Sequence, residues 1–289
     1  MKTTFSRIIL GCMGWGQWGK QLSKNEMIEL LQFSVANDLT SFDHADIYGD
    51  YTTETEFGNA FAESGIAREK IQIISKCGIQ YIGNTRSNEI KHYQYDADYI
   101  IWSAEKSIND LQVDYLDLFL LHRPSPLMEA TEISKAIEHL KREGKIRHFG
   151  VSNFKSSQID LIASEVPIEV NQIEFSLTNF EAMLDGTLHT MQLQNIIPMS
   201  WSPLGQVFKK ENEQTIRIRA LLHALCGVYN ASEDRLLLAW VLKHPSSVHP
   251  VIGTTNKDRI LAAKAAIDIP LSQEDWFKMW VASQGHKVP

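Results

Sequence analysis

Short apolar runs alternate along the chain with longer amphipathic stretches. Most of the short runs are almost continuously apolar, which is typical of parallel strands that are buried on both faces. Successive runs mostly start about 30 residues apart, which is the length of a strand–helix–strand unit. Eight such units close into a barrel. The pattern therefore predicts an α/β fold, a (β/α)8 TIM barrel, with strands at Arg7–Gly11, Thr40–Ala45, Ile71–Cys77, Tyr115–His122, Ile146–Ser152, Ile168–Glu174, Ile196–Ser202 and Val248–Thr254.

The stretches between the predicted strands carry helix signals. Ser23 and Glu26 have the spacing of a capping box ahead of apolar positions at helical intervals. Further helices are predicted over Asp98–Leu111, Glu129–Arg142 and Ser232–Lys243. An open doubly wound sheet is the alternative fold, but the glycines of Gly11–Gly16 lack the GxGxxG spacing of its nucleotide-binding turn. We therefore expect a single barrel domain over residues 1–289.

Composition narrows the class of protein further. The 289 residues are 44% hydrophobic and 22% charged, and the formal net charge is −7. These values are ordinary for a globular chain, and the acidic balance argues against nucleic acid or an anionic membrane surface as a partner. Three cysteines without a CxxC pair argue against a disulfide framework and a structural zinc site. The sequence thus predicts a cytoplasmic protein with no metal, nucleic-acid or membrane partner.

Polar side chains of four chemical types follow three successive predicted strands. Asp43 lies near the end of the second strand and Tyr48 just past it, Lys76 lies near the end of the third, and His122 ends the fourth. Since the carboxyl ends of parallel strands meet at one mouth of a barrel, we expect these four residues to lie together. Each alone is more often a cap or a structural group, so it is the combination that indicates a catalytic site.

A phenol beside an ammonium suits proton donation. The unperturbed pKa of tyrosine is about 10, and an ammonium about 4 Å away favours the phenolate by roughly 4 kcal/mol at an effective dielectric near 20. We therefore expect Lys76 to bring the pKa of Tyr48 close to the working pH, while Asp43 keeps the lysine charged. His122 can donate a hydrogen bond to the substrate oxygen. Such a site suits carbonyl reduction, and because no side chain carries hydride, it requires a redox cofactor.

Seven segments together resemble the aldo-keto reductase family, in the family's order and over nearly the whole chain. They are Asp43–Gly49, Ser75–Lys76, Leu121–Arg123, Gly150–Phe154, Asn171–Gln172, Ser200–Gly205 and Pro250–Thr255. They look most like bacterial members with short loops. The resemblance implies a barrel closed at its bottom by an N-terminal hairpin within Met1–Arg7. It also implies an NAD(P)H-dependent enzyme that reduces aldehydes or ketones to alcohols with the tetrad Asp43, Tyr48, Lys76 and His122.

The resemblance implies positions for a nicotinamide cofactor as well. It assigns four residues to the nicotinamide end, of which the aromatic one stacks on the ring: Ser152, Asn153, Gln172 and Trp201. It assigns five to the first-strand loop and the pyrophosphate, where glycine allows close backbone approach: Met13, Gly14, Ser202, Leu204 and Gly205. The loop Gly205–Thr215 is expected to cover the bound cofactor.

The segment Gly253–Arg259 matches the stretch that holds the 2′-phosphate of NADPH in this family. It opens the last predicted barrel helix, and a helix N-terminus with hydroxyls and an arginine suits a dianion. The candidate phosphate contacts are Thr254, Thr255, Asn256 and Arg259. Gly253 stands where many members carry a basic residue. NADP, as NADPH, is therefore the favoured cofactor, and NAD stays an alternative.

The sequence leaves the substrate and several alternatives open. Candidates for the pocket mouth are Trp15, Trp18, Tyr51, Arg123 and the loop Tyr81–Tyr95. The expected partner is a small carbonyl compound, and the oligomeric state is left open. The alternative function is a cofactor-binding regulatory or sensor protein with little turnover. A barrel metal hydrolase lacks its HxH pair after the first strand, and a Schiff-base aldolase that uses Lys76 leaves Trp201 and Asn153 unexplained.

Overall fold

Eight parallel strands form a closed barrel in the computed structural model, which describes residues 5–288. Neighbours around the barrel follow chain order, and each strand pairs in parallel with the next. The strands are β1 Ile9–Gly11, β2 Ser41–Asp43, β3 Gln72–Cys77, β6 Leu116–Leu121, β7 Ile146–Ser152, β8 Val170–Glu174, β9 Ile197–Trp201 and β10 His249–Ile252. Each lies within a run predicted from the sequence, so the predicted α/β barrel is confirmed.

Helices follow the strands along the chain. They are α1 Lys24–Ala36, α2 Tyr48–Tyr51, α3 Thr53–Glu63, α4 Ala97–Asp110, α5 Ala130–Arg142, α6 Ser156–Ala163, α7 Thr187–Leu193, α8 Glu213–Tyr229, α9 Glu233–Leu242, α10 Lys257–Ala265 and α11 Gln273–Gln284. The capping box forms at α1, where the Ser23 hydroxyl accepts from the N–H of Glu26 and the Glu26 carboxylate accepts from the N–H of Ser23. All four helices expected from their patterns are present.

A small hairpin lies outside the barrel. Its strands, β4 Ile79–Gln80 and β5 His92–Tyr93, pair antiparallel in the long polar segment that follows β3. This segment leaves the barrel at the carboxyl end of β3, so the hairpin stands beside the barrel mouth.

Side-chain alternation decides which residues reach that mouth. A small apolar cluster lies inside the barrel: Phe5, Ile9, Ile74, Leu118, Leu120, Val170, Met199 and Val251. Residues two apart on a strand share a face. Lys76, His122 and Gln172 each come two positions after a member of this cluster, which is why their side chains continue the interior towards the carboxyl ends of the strands.

The opposite end of the barrel is covered by the start of the described chain. The N–H of Ser6 donates to the hydroxyl of Ser41 at 2.8 Å, and the carbonyl of Ser6 lies 3.0 Å from His249 Nδ1. Ser41 and His249 begin β2 and β10, so Ser6 sits at the amino ends of the strands. Most of the hairpin expected within Met1–Arg7 falls on residues 1–4, outside the described residues.

Within residues 5–288, no helix has both the length and the apolar character that a membrane crossing needs.

Candidate active site

The ammonium of Lys76 is the centre of the polar cluster at the mouth. Its nitrogen donates to both carboxylate oxygens of Asp43 at 2.8 Å and to the carbonyl of His44 at 2.6 Å. It also lies 3.2 Å from the hydroxyl of Tyr48. All four residues are buried. The structure thus brings together the aspartate that ends β2, the lysine on β3 and the tyrosine that follows β2.

Backbone pairing beyond β2 positions the tyrosine. The chain stays attached to β3, since the N–H of His44 donates to Ile74 and that of Asp46 donates to Lys76. The N–H of Tyr48 then closes a tight turn onto the carbonyl of Ala45 at 3.1 Å. The tyrosine is therefore held by a rigid strand extension rather than by a free loop.

The residues after Tyr48 have an uncommon backbone. Gly49, Asp50 and Tyr51 have φ values of +60°, +56° and +67°, and a left-handed conformation is costly for the two that carry a Cβ. Asp50 offsets this cost through its side chain, which accepts hydrogen bonds from the N–H of Asn84 at 2.7 Å and the hydroxyl of Thr85 at 3.0 Å. The turn beside the candidate proton donor is thus tied to the segment between β4 and β5.

The balance of burial and charge in the cluster raises the pKa values of both Lys76 and Tyr48. Burial alone would lower the pKa of Lys76, but the carboxylate of Asp43 and the phenol of Tyr48 outweigh burial and raise it. Burial raises the pKa of Tyr48 to about 12, since it exceeds the opposing effect of Lys76, and Asp43 adds to the rise. The expectation that Lys76 brings the pKa of this phenol close to the working pH is therefore wrong for the free protein. The lysine keeps its charge and the tyrosine keeps its proton.

His122, the fourth residue of the expected tetrad, lies at the edge of the polar cluster. Its ring centre lies 6.2 Å from that of Tyr48, in an edge-on arrangement. Burial, followed by the positive charges of Lys76, Arg123 and Lys91, holds the pKa of His122 well below its usual range. Its Nδ1 is buried with no hydrogen-bond partner among the described residues. The imidazole is therefore neutral and can donate from one nitrogen only.

The residues assigned to the nicotinamide end form one hydrogen-bonded chain that joins the tetrad. Gln172 donates its side-chain amide to Asp43 at 2.8 Å, and the Ser152 hydroxyl donates to the carbonyl of Gln172 at 2.8 Å. Asn153 donates to the Ser152 hydroxyl at 2.7 Å and accepts from the indole N–H of Trp201 at 2.9 Å. These four residues therefore lie together, and the pyrrole edge of the Trp201 ring is fixed by Asn153.

The segment after β9 makes a close turn that glycine permits. Ser202 and Gly205 have φ values of +50° and +57°. A Cβ added at Gly205 would lie 2.0 Å from the Thr178 hydroxyl oxygen, so this position excludes larger residues. Leu204 is partly buried. The turn is compact, and α8 starts at Glu213, so only part of the expected covering loop Gly205–Thr215 is free of regular structure.

The loop after β1 lies against the loop after β10. A Cβ added at Gly14 would be 4.0 Å from the carbonyl oxygen of Gly253, while one added at Gly253 would meet nothing within 4 Å. Met13 beside them is 52% exposed. The two glycine positions thus leave an open backbone surface between the first and last barrel strands.

The candidate phosphate residues gather at the start of α10, but two of them already have partners. Asn256 caps the helix, since its side-chain oxygen accepts from the N–H of Arg259 at 3.0 Å. The Thr254 hydroxyl accepts from the N–H of Asn256 at 3.2 Å. Arg259 is exposed, and Thr255 is partly exposed. Thr255 and Arg259 are therefore the side chains most free to contact a phosphate.

The residues expected to line the pocket mouth fall into two groups in the structure. Some pack in the interior, and others lie at the rim. Trp15 is 1% exposed and packs on Phe42 and Phe57, so its placement at the mouth is wrong. Tyr51 is buried, and its hydroxyl binds the backbone of β4 and of Tyr81. Tyr51 therefore fastens the hairpin.

Trp18 and Tyr81 do lie at the rim. Their ring centres are 5.1 Å apart, and the ring of Trp18 is 6.3 Å from that of Tyr48. Trp18 is 37% exposed. Together they form an aromatic wall on the Tyr48 side of the mouth.

Two buried carboxyl groups behind the tetrad were not found from the sequence. Burial, with a contribution from Glu54, raises the pKa of Asp46 to about 7. Burial raises the pKa of Glu54 to about 7 against the hydrogen bonds of Ser75 and Ser107. Asp46 lies in the segment Asp43–Gly49, which resembles the family. No residue pattern around Glu54 distinguishes it from an exposed residue of a helix. Within residues 5–288, no group of three or more His, Cys, Asp or Glu side chains is arranged to hold a metal ion.

The sequence and fold have clear relatives. The model of the Aldo/keto reductase family matches residues 7–280. The uncharacterized oxidoreductase YcsN of Bacillus subtilis is 40% identical over 99% of this chain and 96% of its own. A 6-dehydroglucose reductase of Agrobacterium fabrum is 34% identical over 99% of this chain and 97% of its own. The crystal structure of the thermostable aldo-keto reductase Tm1743 with the inhibitor epalrestat covers 98% of this chain and 97% of its own, with 26% identity and a TM-score of 0.81.

Taken with the barrel and the polar cluster at its mouth, these matches define the class. The chain belongs to the aldo/keto reductase family. Its relatives in that family include oxidoreductases of bacteria.

Proposed function

We propose that this protein is an NADPH-dependent oxidoreductase that reduces aldehydes or ketones to alcohols, with Tyr48 as the proton donor. The observation that carries the proposal is the position of the Lys76 ammonium, which lies 2.8 Å from Asp43 and 3.2 Å from the Tyr48 hydroxyl. A buried cation held by a carboxylate and aimed at a phenol stabilises negative charge on that phenol. His122 beside it supplies a second polar group at the same place.

The described residues fit a nicotinamide. The chain of hydrogen bonds from Asp43 through Gln172, Ser152 and Asn153 to Trp201 presents amide and hydroxyl groups to a carboxamide and an aromatic face to a ring. The open surface at Gly14 and Gly253 fits the rest of the molecule. When bound, a reduced nicotinamide supplies the hydride that the carbonyl carbon accepts.

Tyr48 and Lys76 then act as a pair on the substrate oxygen. Tyr48 holds its proton in the free protein, because burial keeps its pKa near 12. An alkoxide is a stronger base than a phenolate, so the phenol can give up its proton as negative charge develops on the substrate oxygen. Lys76 stabilises the phenolate that remains, and neutral His122 can donate a hydrogen bond to the same oxygen.

Similarity to named reductases supports the direction of the reaction. The relative from Agrobacterium fabrum is a 6-dehydroglucose reductase, and a glyoxal reductase of Bacillus subtilis is also related. Both names describe reduction of small oxygen-rich carbonyl compounds. We therefore propose small aldehydes and ketones as the substrate class, with NADPH favoured over NADH by the exposed Arg259 and the start of α10.

The test is cofactor oxidation with a panel of carbonyl compounds, using the wild type and Tyr48→Phe. We expect turnover by the wild type with NADPH and a loss of at least about 10²-fold in kcat for the variant, since it lacks the proton donor. NADPH binding, followed by quenching of tryptophan fluorescence, should persist in Tyr48→Phe and shows that the variant is folded. Unchanged turnover in Tyr48→Phe would contradict the mechanism. Tight NADPH binding without turnover of any carbonyl would favour the regulatory or sensor function instead.

A further inference from the structure

We infer that Arg123 selects the substrate, by donating hydrogen bonds to a hydroxyl or carboxylate oxygen that lies near the reacting carbonyl. The inference rests on the proposed function and adds a chemical class to it: oxygen-rich carbonyl compounds rather than plain alkyl ones. Arg123 would then be a specificity-determining residue for the same site.

The guanidinium of Arg123 lies near two residues of the candidate site. Arg123 directly follows His122 at the carboxyl end of β6. Its guanidinium carbon is 5.5 Å from the centre of the Trp201 ring. His122 belongs to the proposed tetrad, and Trp201 is the proposed partner of the nicotinamide. The guanidinium therefore stands beside the place where a substrate carbonyl would be held.

The guanidinium of Arg123 has no hydrogen-bond acceptor among the described residues. Among residues 5–288, the side chain of Arg123 makes neither an ion pair nor a hydrogen bond, although the residue is half-buried. A guanidinium has five N–H donors and no acceptor, and it is most strongly satisfied by oxygen atoms, often two at once. Contact with the Trp201 face stabilises the charge without using those donors.

The backbone of Arg123 is held in place by the hydroxyl of Tyr95. The Tyr95 hydroxyl donates to the carbonyl of Arg123 at 2.6 Å and accepts from its N–H at 3.1 Å. Tyr95 is itself buried. Both backbone groups of Arg123 are therefore satisfied locally, and the side chain starts from a fixed point at the rim.

Positive charge is in excess on the Arg123 side of the mouth. The charge of Lys76 is offset by Asp43 at 2.8 Å. The charges of Arg123 and Lys91 both reach His122, where they add to burial and to Lys76 in lowering its pKa. The mouth is thus electropositive on the Arg123 side, which favours a hydroxyl or carboxylate oxygen over an alkyl group.

The aromatic wall formed by Trp18 and Tyr81 makes the contrast stronger. Trp18 and Tyr81 offer aromatic surface that an alkyl or sugar-like carbon chain can pack against equally well. An oxygen-rich substrate satisfies both walls, whereas an alkyl aldehyde leaves the guanidinium donors without a partner. Sites built to bind a substrate oxygen discriminate strongly against analogues that lack it, because the protein groups stay unpaired.

The experiment compares matched aldehydes with and without acceptor oxygens. Glyceraldehyde is paired with propanal, and succinic semialdehyde with butanal, using the wild type, Arg123→Met and Arg123→Lys. We expect Arg123→Met to lower kcat/KM for the oxygenated member of each pair by about 10-fold or more, mainly through KM, as for loss of a charge-assisted hydrogen bond. The effect on propanal and butanal should stay within about 3-fold. Reactivity differences between substrates cancel, since each ratio compares a variant with the wild type on one substrate.

The two substrate pairs distinguish a carboxylate from hydroxyl groups as the natural acceptor for Arg123. Arg123→Lys keeps the charge but loses the planar fork. It should restore more activity towards succinic semialdehyde than towards glyceraldehyde if a carboxylate is the natural group, and little towards either if paired hydroxyls are. Arg142→Met, which removes an exposed arginine on α5, is the matched control and should leave all four values unchanged.

Three results would overturn the inference. One is an equal loss on both members of each pair in Arg123→Met, and another is no loss on either. The third is a rise in KM for NADPH that accounts for the change, which would place Arg123 on the cofactor. Failure of the proposed function looks different, because the wild type would then turn over none of the four aldehydes.

Discussion

The ammonium nitrogen of Lys76 lies 2.8 Å from both carboxylate oxygens of Asp43, and their side chains are 0% and 4% exposed. A buried pair of this kind is costly to separate, because either charge alone would stay in a medium of low polarity. The pair therefore couples the stability of the barrel to the chemistry at its mouth.

Lys76→Met is predicted to destabilise the protein. It leaves the Asp43 carboxylate buried without a counter-ion, for which we expect a loss of about 3–5 kcal/mol in the free energy of unfolding. Urea denaturation followed by circular dichroism measures this loss. The double variant Lys76→Met/Asp43→Asn should recover a large part of it, because no unpaired charge remains.

The control for this variant is Lys24→Met. It breaks an exposed pair with Glu63, and such pairs contribute about 0–1 kcal/mol. Equal losses in Lys24→Met and Lys76→Met would mean that burial of the pair has no energetic consequence.

The carboxyl groups of Asp46 and Glu54 predict a stability that falls as pH rises. Burial, the first cause for both, raises each pKa to about 7, whereas carboxyl groups of an unfolded chain have pKa values near 4. At pH 5 both groups are therefore mostly ionised in the unfolded chain and take up a proton on folding, so the free energy of unfolding falls as pH rises from about 4 to about 7 and changes little above that. Glu54→Gln is neutral at every pH, so its free energy of unfolding should gain on the wild type between pH 5 and pH 8.

The wild type and Glu54→Gln share all their other titrating groups. The contributions of those groups therefore cancel in the difference between the two free energies of unfolding. Burial lowers the pKa of His44 to about 3 and that of His249 to about 4, and these act in the opposite sense in both proteins. Glu211→Gln at an exposed position serves as the control, with a difference from wild type that stays constant within about 0.5 kcal/mol. A constant difference for Glu54→Gln as well would show that this carboxyl group is ionised in the folded protein.

Gly205→Ala is predicted to weaken cofactor binding and stability together. The backbone at this position has a φ of +57°, and the added Cβ would lie 2.0 Å from the Thr178 hydroxyl oxygen. Left-handed strain costs about 1 kcal/mol or more, and the clash forces the turn after β9 to move. We expect a higher KM for NADPH and a lower melting temperature.

Gly227→Ala is the matched control for this substitution. Gly227 lies in α8 and has nothing within 4 Å of an added Cβ, so alanine there should raise stability slightly. A wild-type KM for NADPH in Gly205→Ala would show that the turn after β9 does not contribute to the cofactor site.

Arg259→Gln is predicted to separate the two nicotinamide cofactors. The side chain is exposed at the start of α10 and can reach only the additional phosphate of NADPH on our proposal. We expect KM for NADPH to rise about 10-fold with KM for NADH nearly unchanged. Equal effects on both cofactors, or a wild-type preference for NADH, would contradict the phosphate assignment.

The sequence predicts the barrel well because its signals are local. Continuous apolar runs and their spacing locate the eight strands, and alternation along β3 and β8 places Lys76 and Gln172 on the inner face. The tetrad follows from the rule that strand ends meet at one mouth. One domain over residues 1–289 stays a prediction.

The parts that sequence reasoning did not find depend on distant contacts or on burial. The sign of the Tyr48 pKa shift was wrong because it depends on how completely the phenol is buried, which spacing does not reveal. Trp15 was placed at the mouth, whereas it packs against Phe42 and Phe57 in the interior. The bonds from Asp50 to Asn84 and Thr85 join positions far apart in the chain, and no local pattern announces them.

The hydrogen bonds that Asp50 accepts from the N–H of Asn84 and the hydroxyl of Thr85 make the rim a property of two segments at once. A hairpin transplanted here from another barrel would lack this contact unless residue 50 matched it, and a change at residue 50 would leave Tyr51 as the remaining tie and would loosen the hairpin and the turn after Tyr48 together. Natural or engineered diversification of this rim must therefore proceed by paired replacement of the two segments.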